Sequence, residues 1–442
     1  MEGAPAAAAG FAAVLLLGAL RVPIGIAMGL VGALGAILLG GWGQASYILA
    51  NLPFEAVSTP GMEIVPLFIF MGVFASVSGL SHNLYAAVSA LIGHLRGGIA
   101  MATVGASAAF GAICGSSLAT AATIGRAAMP EMRARGYADS LSAASIAAGG
   151  TLGVLIPPSI LLVLYAILTG QSIGALFAAA LVPGLLATLL YVGAIALQVR
   201  LVPGLAPLSP GLGRGERLAA LARVWDAALL MLLVLGGLYG RVFSPTEAAA
   251  VGAAGALLIT AARGRLTRRA LLAGMAETAG MTGMVFLILV GATLFNYFIE
   301  LTRVTGELTA LIEASDLSPL GVLVLIVLFY VALGCLMDSL SMVLLTVVPM
   351  FQLVTGLGYD PIWFGVLIVM VAEIGLITPP IGMNLFVIKG VTPGLKLATV
   401  IGGILPFIAA DLLRLALIVL FPALALALPR LLGLVGPPPL VP

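Results

Sequence analysis

Apolar positions in this chain neither alternate nor recur at a helical spacing; they run together. Stretches of about 18 or more apolar residues recur from end to end, each long enough to cross a bilayer as a helix. Two of these runs are interrupted in the same way. "GTLGVLIPPSI" (Gly150 to Ile160) and "EIGLITPPIGMN" (Glu373 to Asn384) each carry a glycine and a Pro-Pro pair where a spanning helix should stay unbroken. The pattern predicts broken membrane helices over 139–167 and 361–389. Two further apolar segments must turn back on themselves. The segment 97–130 is flanked by basic residues on both sides, with "CGSSLAT" (Cys114 to Thr120) at its middle. The segment 318–352 starts and ends beside acidic stretches, with "CLMDSLSM" (Cys335 to Met342) at its middle. Both read as re-entrant hairpins.

The two halves match at a constant offset. Pro157 and Pro379, Pro158 and Pro380, Gly153 and Gly375, Pro23 and Pro245, and Ser117-Leu118 and Ser339-Leu340 each stand 222 positions apart. About five crossings per half, an odd number, place the halves upside down to one another. The expected fold is therefore an all-α polytopic membrane protein of two inverted-topology repeats, each with a re-entrant hairpin and a broken helix. That is the architecture of a secondary transporter whose site lies at the repeat interface. The expected boundaries are 1–200 for the first repeat, 201–224 for a cytoplasmic connector, 225–425 for the second repeat and 426–442 for a periplasmic tail. The N-terminal apolar run lacks a basic leader region and reads as a first membrane helix rather than a signal peptide.

Composition agrees: 62% of residues are hydrophobic and 8% charged, with mean hydropathy +1.23, against roughly a quarter charged in soluble domains. The net charge of +2 gives no reason to invoke nucleic acid. Charge does set an orientation. With both termini periplasmic, 15 of the 19 Lys and Arg residues fall on the inner side, as cytoplasmic loops require. Only Arg241, Arg303, Arg414 and Arg430 are left over, and Glu300, Glu307, Glu313, Asp316 and Asp360 cluster outside. Cys114 and Cys335 lie in apolar runs and suggest neither a disulfide nor a zinc site. His82 and His94 fall in an amphipathic stretch that reads as an interfacial arm, matched by 300–319 in the second half.

Irregular backbone at membrane depth is tolerated only where it is buried in protein or lines a cavity. Each break faces a hydroxyl-rich tip: Ser116, Ser117 and Thr120 in one half, Asp338, Ser339 and Ser341 in the other. Broken backbone frees carbonyl oxygens for a small hard cation such as Na⁺, and half-helix N-termini for an anion. A carboxylate at depth, such as Asp338, is functional by default. Glu373 is a candidate for a proton or charge role, or for a structural one; Asp411 and Arg414, three residues apart, read as an ion pair, and Glu277 as an interfacial residue. Gly149-Gly150 beside Pro157-Pro158 reads as a point of unwinding. An intramembrane protease is disfavoured: HExxH is absent and Asp338 has no aspartate partner. No enzymatic activity is expected.

Together "GAICGSSLATAATIG", "GGTLGVLIPPSI", "SPTEAAAVGA", "MDSLSMVLLTVVPMF" and "AEIGLITPPIGMNLFVIKG" resemble the large membrane subunit of tripartite ATP-independent periplasmic (TRAP) transporters, over essentially the whole chain. The resemblance implies a multi-pass protein of the bacterial inner membrane that imports an organic acid, such as a C4-dicarboxylate or a sialic acid, by Na⁺-coupled elevator symport. It implies a separate small four-helix membrane subunit and a periplasmic substrate-binding protein as partners. Carried over by motif, one Na⁺ site joins Ser116 and Ser117 to Gly150, Thr151 and Gly153. The other joins Asp338, Ser339 and Ser341 to Thr378, Gly382 and Met383. Ser117, Thr120, Pro157, Ser159, Pro379 and Asn384 are expected against the substrate. The alternatives are a stand-alone divalent-anion/Na⁺ symporter and an H⁺-coupled carboxylate transporter.

Overall fold

A computed structural model describes residues 3–208, 212–315 and 317–436; Asp316 and the end of the expected tail lie outside the described residues, as does the side chain of Glu313. The described chain is all helical. The first half runs through α1 (Gly3–Ala19), α2 (Ile24–Ser58), α3 (Ile64–Val77), α4 (Leu80–Ile92), α5 (Gly98–Cys114), α6 (Ser117–Ala134), α7 (Asp139–Leu155), α8 (Ile160–Thr169) and α9 (Ile173–Leu201). A short α10 (Arg214–Ala222) sits in the connector. The second half runs through α11 (Trp225–Met231), α12 (Gly237–Tyr239), α13 (Pro245–Ala262), α14 (Arg268–Thr302), α15 (Val304–Ala314) and α16 (Pro319–Gly334). It ends with α17 (Ser339–Gly356), α18 (Pro361–Ile377), α19 (Met383–Val391), α20 (Leu397–Leu420) and α21 (Ala423–Leu431). The expected boundary at 425 falls inside α21, which packs against α9 and α20, so the first residues of the expected tail belong to the folded body.

The repeat extends to the element boundaries. Both ends of α17 lie 222 residues beyond those of α6, and both ends of α18 lie 222 beyond those of α7. Where the halves differ, the sequence supplies the reason. Pro60 and Gly61 (φ +96°) separate α2 from α3, whereas the equivalent Thr282 and Gly283 let α14 run on as one 35-residue helix.

The inversion can be read along α20. Near its start, Gly403 packs directly on the Ser140 carbonyl at the beginning of α7. Near its end, the Ile418 carbonyl accepts a 3.1 Å bond from the Trp363 indole at the beginning of α18. Fifteen helical residues separate these contacts, about 22 Å. The two broken helices therefore enter from opposite ends.

One end of the molecule gathers Arg133, paired with Asp139 at 2.8 Å and bonded to the Pro393 carbonyl. Arg263 pairs there with Asp226 at 2.8 Å. At the opposite end Glu307 accepts from the Ala4 amide, and Tyr165 donates to the Pro361 carbonyl at 2.7 Å.

Two helix groups can be distinguished. α2 lies along α14 and α13 against α3, with glycines allowing close backbone approach: Gly25 and Gly291 touch main chain to main chain. Small residues are what membrane helices use for such contacts, since lipid removes any hydrophobic gain from association. The second group holds both hairpins (α5–α6, α16–α17), both broken helices (α7–α8, α18–α19), α9 and α20. α3 and α4 meet at a bend of 66°, as an arm would; His82 is exposed and His94 half-buried.

One expectation is corrected. Gly149 and Gly150 do not unwind their helix: α7 stays helical through Leu155. The glycines serve packing instead, with Gly149 against Ser107 and Gly150 against Ala121.

Candidate substrate and ion site between the hairpin tips

At the first tip, Gly115 turns the chain with φ +66°, and Ser116 caps α6 by accepting from the Ala119 amide at 3.4 Å. The end of α7 is pressed onto this turn because its glycines have no side chain. A Cβ on Gly153 would stand 2.5 Å from Thr120 Oγ1 and 2.9 Å from the Ser116 carbonyl; one on Gly150 would stand 3.1 Å from the Ser117 carbonyl. Thr120 Oγ1 is buried, beside the Cys114 thiol, and has no partner in hydrogen-bond geometry among the described residues. The last turn of α7 leaves main-chain carbonyls that no following amide takes. Hydroxyl and carbonyl oxygens with spare lone pairs therefore converge around Ser116, Ser117, Thr120 and Gly153, a donor set that fits a small hard cation. The Thr151 hydroxyl is turned elsewhere, donating to the Ala148 carbonyl at 2.6 Å and meeting the Tyr191 hydroxyl at 3.1 Å.

The second tip repeats the arrangement with a charge added. Asp338 caps α17: one carboxylate oxygen accepts from the Ser341 amide at 2.9 Å and the other from the Ser341 hydroxyl at 2.6 Å. The close approach is now Gly334 against Gly375. Thr378 ends α18 with its hydroxyl donating to the Ile374 carbonyl at 2.6 Å, which leaves the lone pairs of that oxygen and the main-chain carbonyl for a ligand. Gly382 (φ +58°) starts α19, with Met383 as its first residue.

The tips face each other across a cavity of about 100 Å³, lined by Ser116, Ser117, Asp338, Ser339, Val154 and Leu376 among others. Among the described residues no Lys or Arg lines it. Glu373, 1% exposed, lies within electrostatic reach of Ser339 and Ser117, one from each tip. Neither of its oxygens has a partner in hydrogen-bond geometry among the described residues.

Of the residues expected against substrate, Ser117 lines this cavity. Thr120 belongs to the oxygen cluster at the first tip. Pro157 stands in the first break, beside the Pro158 carbonyl on which Gly115 packs. Ser159 caps α8 through the Leu162 amide at 3.3 Å, and the Pro379 carbonyl faces Cys335. Asn384 ties the two broken helices together, its amide donating to the Ala147 carbonyl at 3.1 Å.

The expected Asp411–Arg414 pair is present at 2.8 Å, both side chains 1% exposed. It extends through a residue that no motif singles out: Tyr191 donates to Asp411 at 2.6 Å and meets Thr151.

Residues 11–424 match the family described as "Tripartite ATP-independent periplasmic transporter, DctM component". This chain is a member of that family. It is 35% identical, over 92% of its length and 94% of the relative's, to the C4-dicarboxylate TRAP transporter large permease protein DctM of Pseudomonas aeruginosa. It is also 35% identical to the isethionate TRAP transporter permease protein DctMQ of Oleidesulfovibrio alaskensis, covering 94% of this chain and 64% of that one. The fold is similar to that of the Alcanivorax borkumensis YdaH transporter, with a TM-score of 0.61, 16% identity, and 87% and 90% of the two chains covered. The chain is thus a TRAP large permease subunit, a multi-pass protein of the bacterial inner membrane and not an enzyme. It works as one component of a tripartite system.

Proposed function

We propose that this subunit imports an organic acid by Na⁺-coupled elevator symport, with the basic end of the molecule cytoplasmic. A small membrane subunit and a periplasmic binding protein complete the system. One observation carries the reading: two hairpin tips from opposite ends meet at one cavity whose polar walls are hydroxyls, a carboxylate and helix ends, with no basic side chain among the described residues. An anion can be held there only if cations neutralise Asp338. The oxygen clusters at the two tips are where Na⁺ would bind, and half-helix N-termini at Ser117 and Ser339 would face the anion. With both Na⁺ and anion bound, the hairpin-bearing group is close to neutral and can slide against α2, α3, α13 and α14.

Relatives are named for C4-dicarboxylate, isethionate, sialic acid and ectoine. Selection among such acids then rests on the binding protein rather than on this cavity. C4-dicarboxylate is the first candidate, from the relative that is 35% identical over nearly its full length.

The test is melting of the purified protein in NaCl against matched KCl and choline chloride, for the wild type, Ser117→Ala and Asp338→Asn. Ligand at ten times its Kd adds about 1.4 kcal/mol to stability. A Na⁺-specific rise that shrinks in both variants is expected. No Na⁺ effect in the wild type would overturn Na⁺ coupling. The buried carboxylate of Glu373, set between Ser339 and Ser117, favours the second reading, H⁺ coupling, which would then be tested by driving uptake into proteoliposomes with a pH gradient alone.

A further inference from the structure

The cavity between the tips has a neighbour toward one end. A second cavity of about 230 Å³ shares Ile69, Ile160 and Met281 with it and extends between α3, α14 and α6. It runs out toward the basic end, since Gly274, one turn before Glu277, packs on Phe74 near the close of α3. On the acidic side a cavity of about 320 Å³ around Asn296, Glu300, Arg303 and Gln352 shares no lining residue with the tip cavity. Among the described residues the two adjoining cavities make up an inward vestibule, and neither shares a lining residue with the outer cavity.

Two charged side chains among the described residues line the second cavity, one on each helix group, and Asp338 lines the first. Among the described residues Arg126 is the single basic side chain on either adjoining cavity; Glu277 faces the same space from α14. Arg126 follows Ser117 by nine residues along α6, about 13 Å from the tip. Among the described residues neither Arg126 nor Glu277 takes part in an ion pair. Both side chains are exposed, so each is accessible to a ligand in this space, and the cavity walls concentrate their field there.

We propose that Arg126 is the release residue for the organic anion and Glu277 its returning counter-ion. The proposal rests on the organic-acid reading above. Once Na⁺ leaves the tips, Asp338 repels the anion and Arg126, farther down the vestibule, attracts it. Glu277, fixed on α14, then competes for Arg126, so the anion passes into the cytoplasm instead of remaining bound. Because Arg126 travels with the hairpin and Glu277 does not, the pair also neutralises the arginine in the inward position.

The test needs no transported substrate. Thr123, one helical turn from Arg126 and lining the same vestibule, becomes a reporter as Thr123→Cys in a Cys114→Ala/Cys335→Ala background. Inside-out and right-side-out vesicles are treated with an anionic (sulfonatoethyl) and a cationic (trimethylammonium-ethyl) methanethiosulfonate, and the folded state of each variant is checked by melting. The expected result is labelling from the cytoplasmic face with the anionic reagent favoured. One unit charge about 6 Å away in water changes each rate about threefold, in opposite senses. Arg126→Gln should therefore lower the anionic-to-cationic rate ratio about tenfold; Arg126→Lys should keep it and Glu277→Gln should raise it. A folded reporter that labels only from the periplasmic face, or from neither, overturns the proposal. So does a ratio that neither Arg126→Gln nor Glu277→Gln moves by about twofold, well under that expectation. These readouts do not depend on Na⁺, so loss of the Na⁺ coupling above would leave them standing.

Discussion

Gly153 of α7 faces Thr120 of α6 so closely that a Cβ on the glycine would stand 2.5 Å from the threonine hydroxyl oxygen. That hydroxyl is buried and has no partner in hydrogen-bond geometry among the described residues. The contact is thus both a packing constraint and an open oxygen ligand. Gly153→Ala must push the tip away from α7 and should cost about 1–3 kcal/mol by overpacking. Thr120→Val keeps the volume and removes the oxygen. We expect Gly153→Ala to lower the melting temperature in NaCl and KCl alike, and Thr120→Val to reduce the Na⁺-specific increment. An unchanged Na⁺ increment in Thr120→Val would remove its hydroxyl from the ion site.

Asp338 has two separable duties. It caps α17 through the Ser341 amide and hydroxyl, and it supplies the one charge among the described residues lining the tip cavity. Asp338→Asn keeps an acceptor for the amide; Asp338→Ala removes both. Loss of an N-cap costs about 1 kcal/mol. Melting in KCl should therefore fall for Asp338→Ala and change little for Asp338→Asn, while both lose Na⁺ stabilisation. Equal melting of the two variants in KCl would show that the cap contributes nothing.

The all-helical membrane fold, the 222-residue spacing and the helix breaks were legible because they rest on backbone chemistry: Pro-Pro pairs, polar tips and apolar runs leave few arrangements in a membrane. The expected broken helices at 139–167 and 361–389 compare with 139–169 and 361–391 in the structure. The role of Gly149-Gly150 was not legible, because glycine is equally suited to unwinding and to close packing, and only the neighbouring helix decides which. Nor was Thr151's turn toward Tyr191, since those residues meet only when α7, α9 and α20 pack. Tyr191 sits in an apolar run with nothing in the chain around it to mark a partner 220 residues away.

Glu373 is held where both tips converge, yet Thr151 occupies the equivalent place in the first repeat, 222 residues earlier. The carboxylate is thus an asymmetry in an otherwise matched frame. Glu373→Gln keeps the shape and deletes the charge, so the protein should fold with little loss. If the carboxylate faces a cation, the variant's affinity for Na⁺ should drop several-fold in a melting titration. Equal Na⁺ titrations for wild type and Glu373→Gln would assign the residue to packing or to proton transfer.

Arg414 and Asp411 are both 1% exposed, and Tyr191 holds the second Asp411 oxygen at 2.6 Å. Removing one member of a buried pair strands the other, which costs about 3–5 kcal/mol, whereas replacing both with apolar residues of similar volume can be neutral. Asp411→Leu alone should therefore melt far below the wild type, and Asp411→Leu with Arg414→Met should recover much of the loss. The network also touches the candidate site, because the Tyr191 hydroxyl meets Thr151, which precedes Gly153 at the edge of the first oxygen cluster. The double variant separates the two roles. If the network only offsets the cost of its own burial, restored melting should come with a restored Na⁺ increment. If it also positions α7 through Thr151, melting should recover while the Na⁺ increment stays depressed. Tyr191→Phe, which cuts the link without stranding a charge, should then depress the increment in the same way. A Tyr191→Phe protein with a wild-type Na⁺ titration would confine the network to stability.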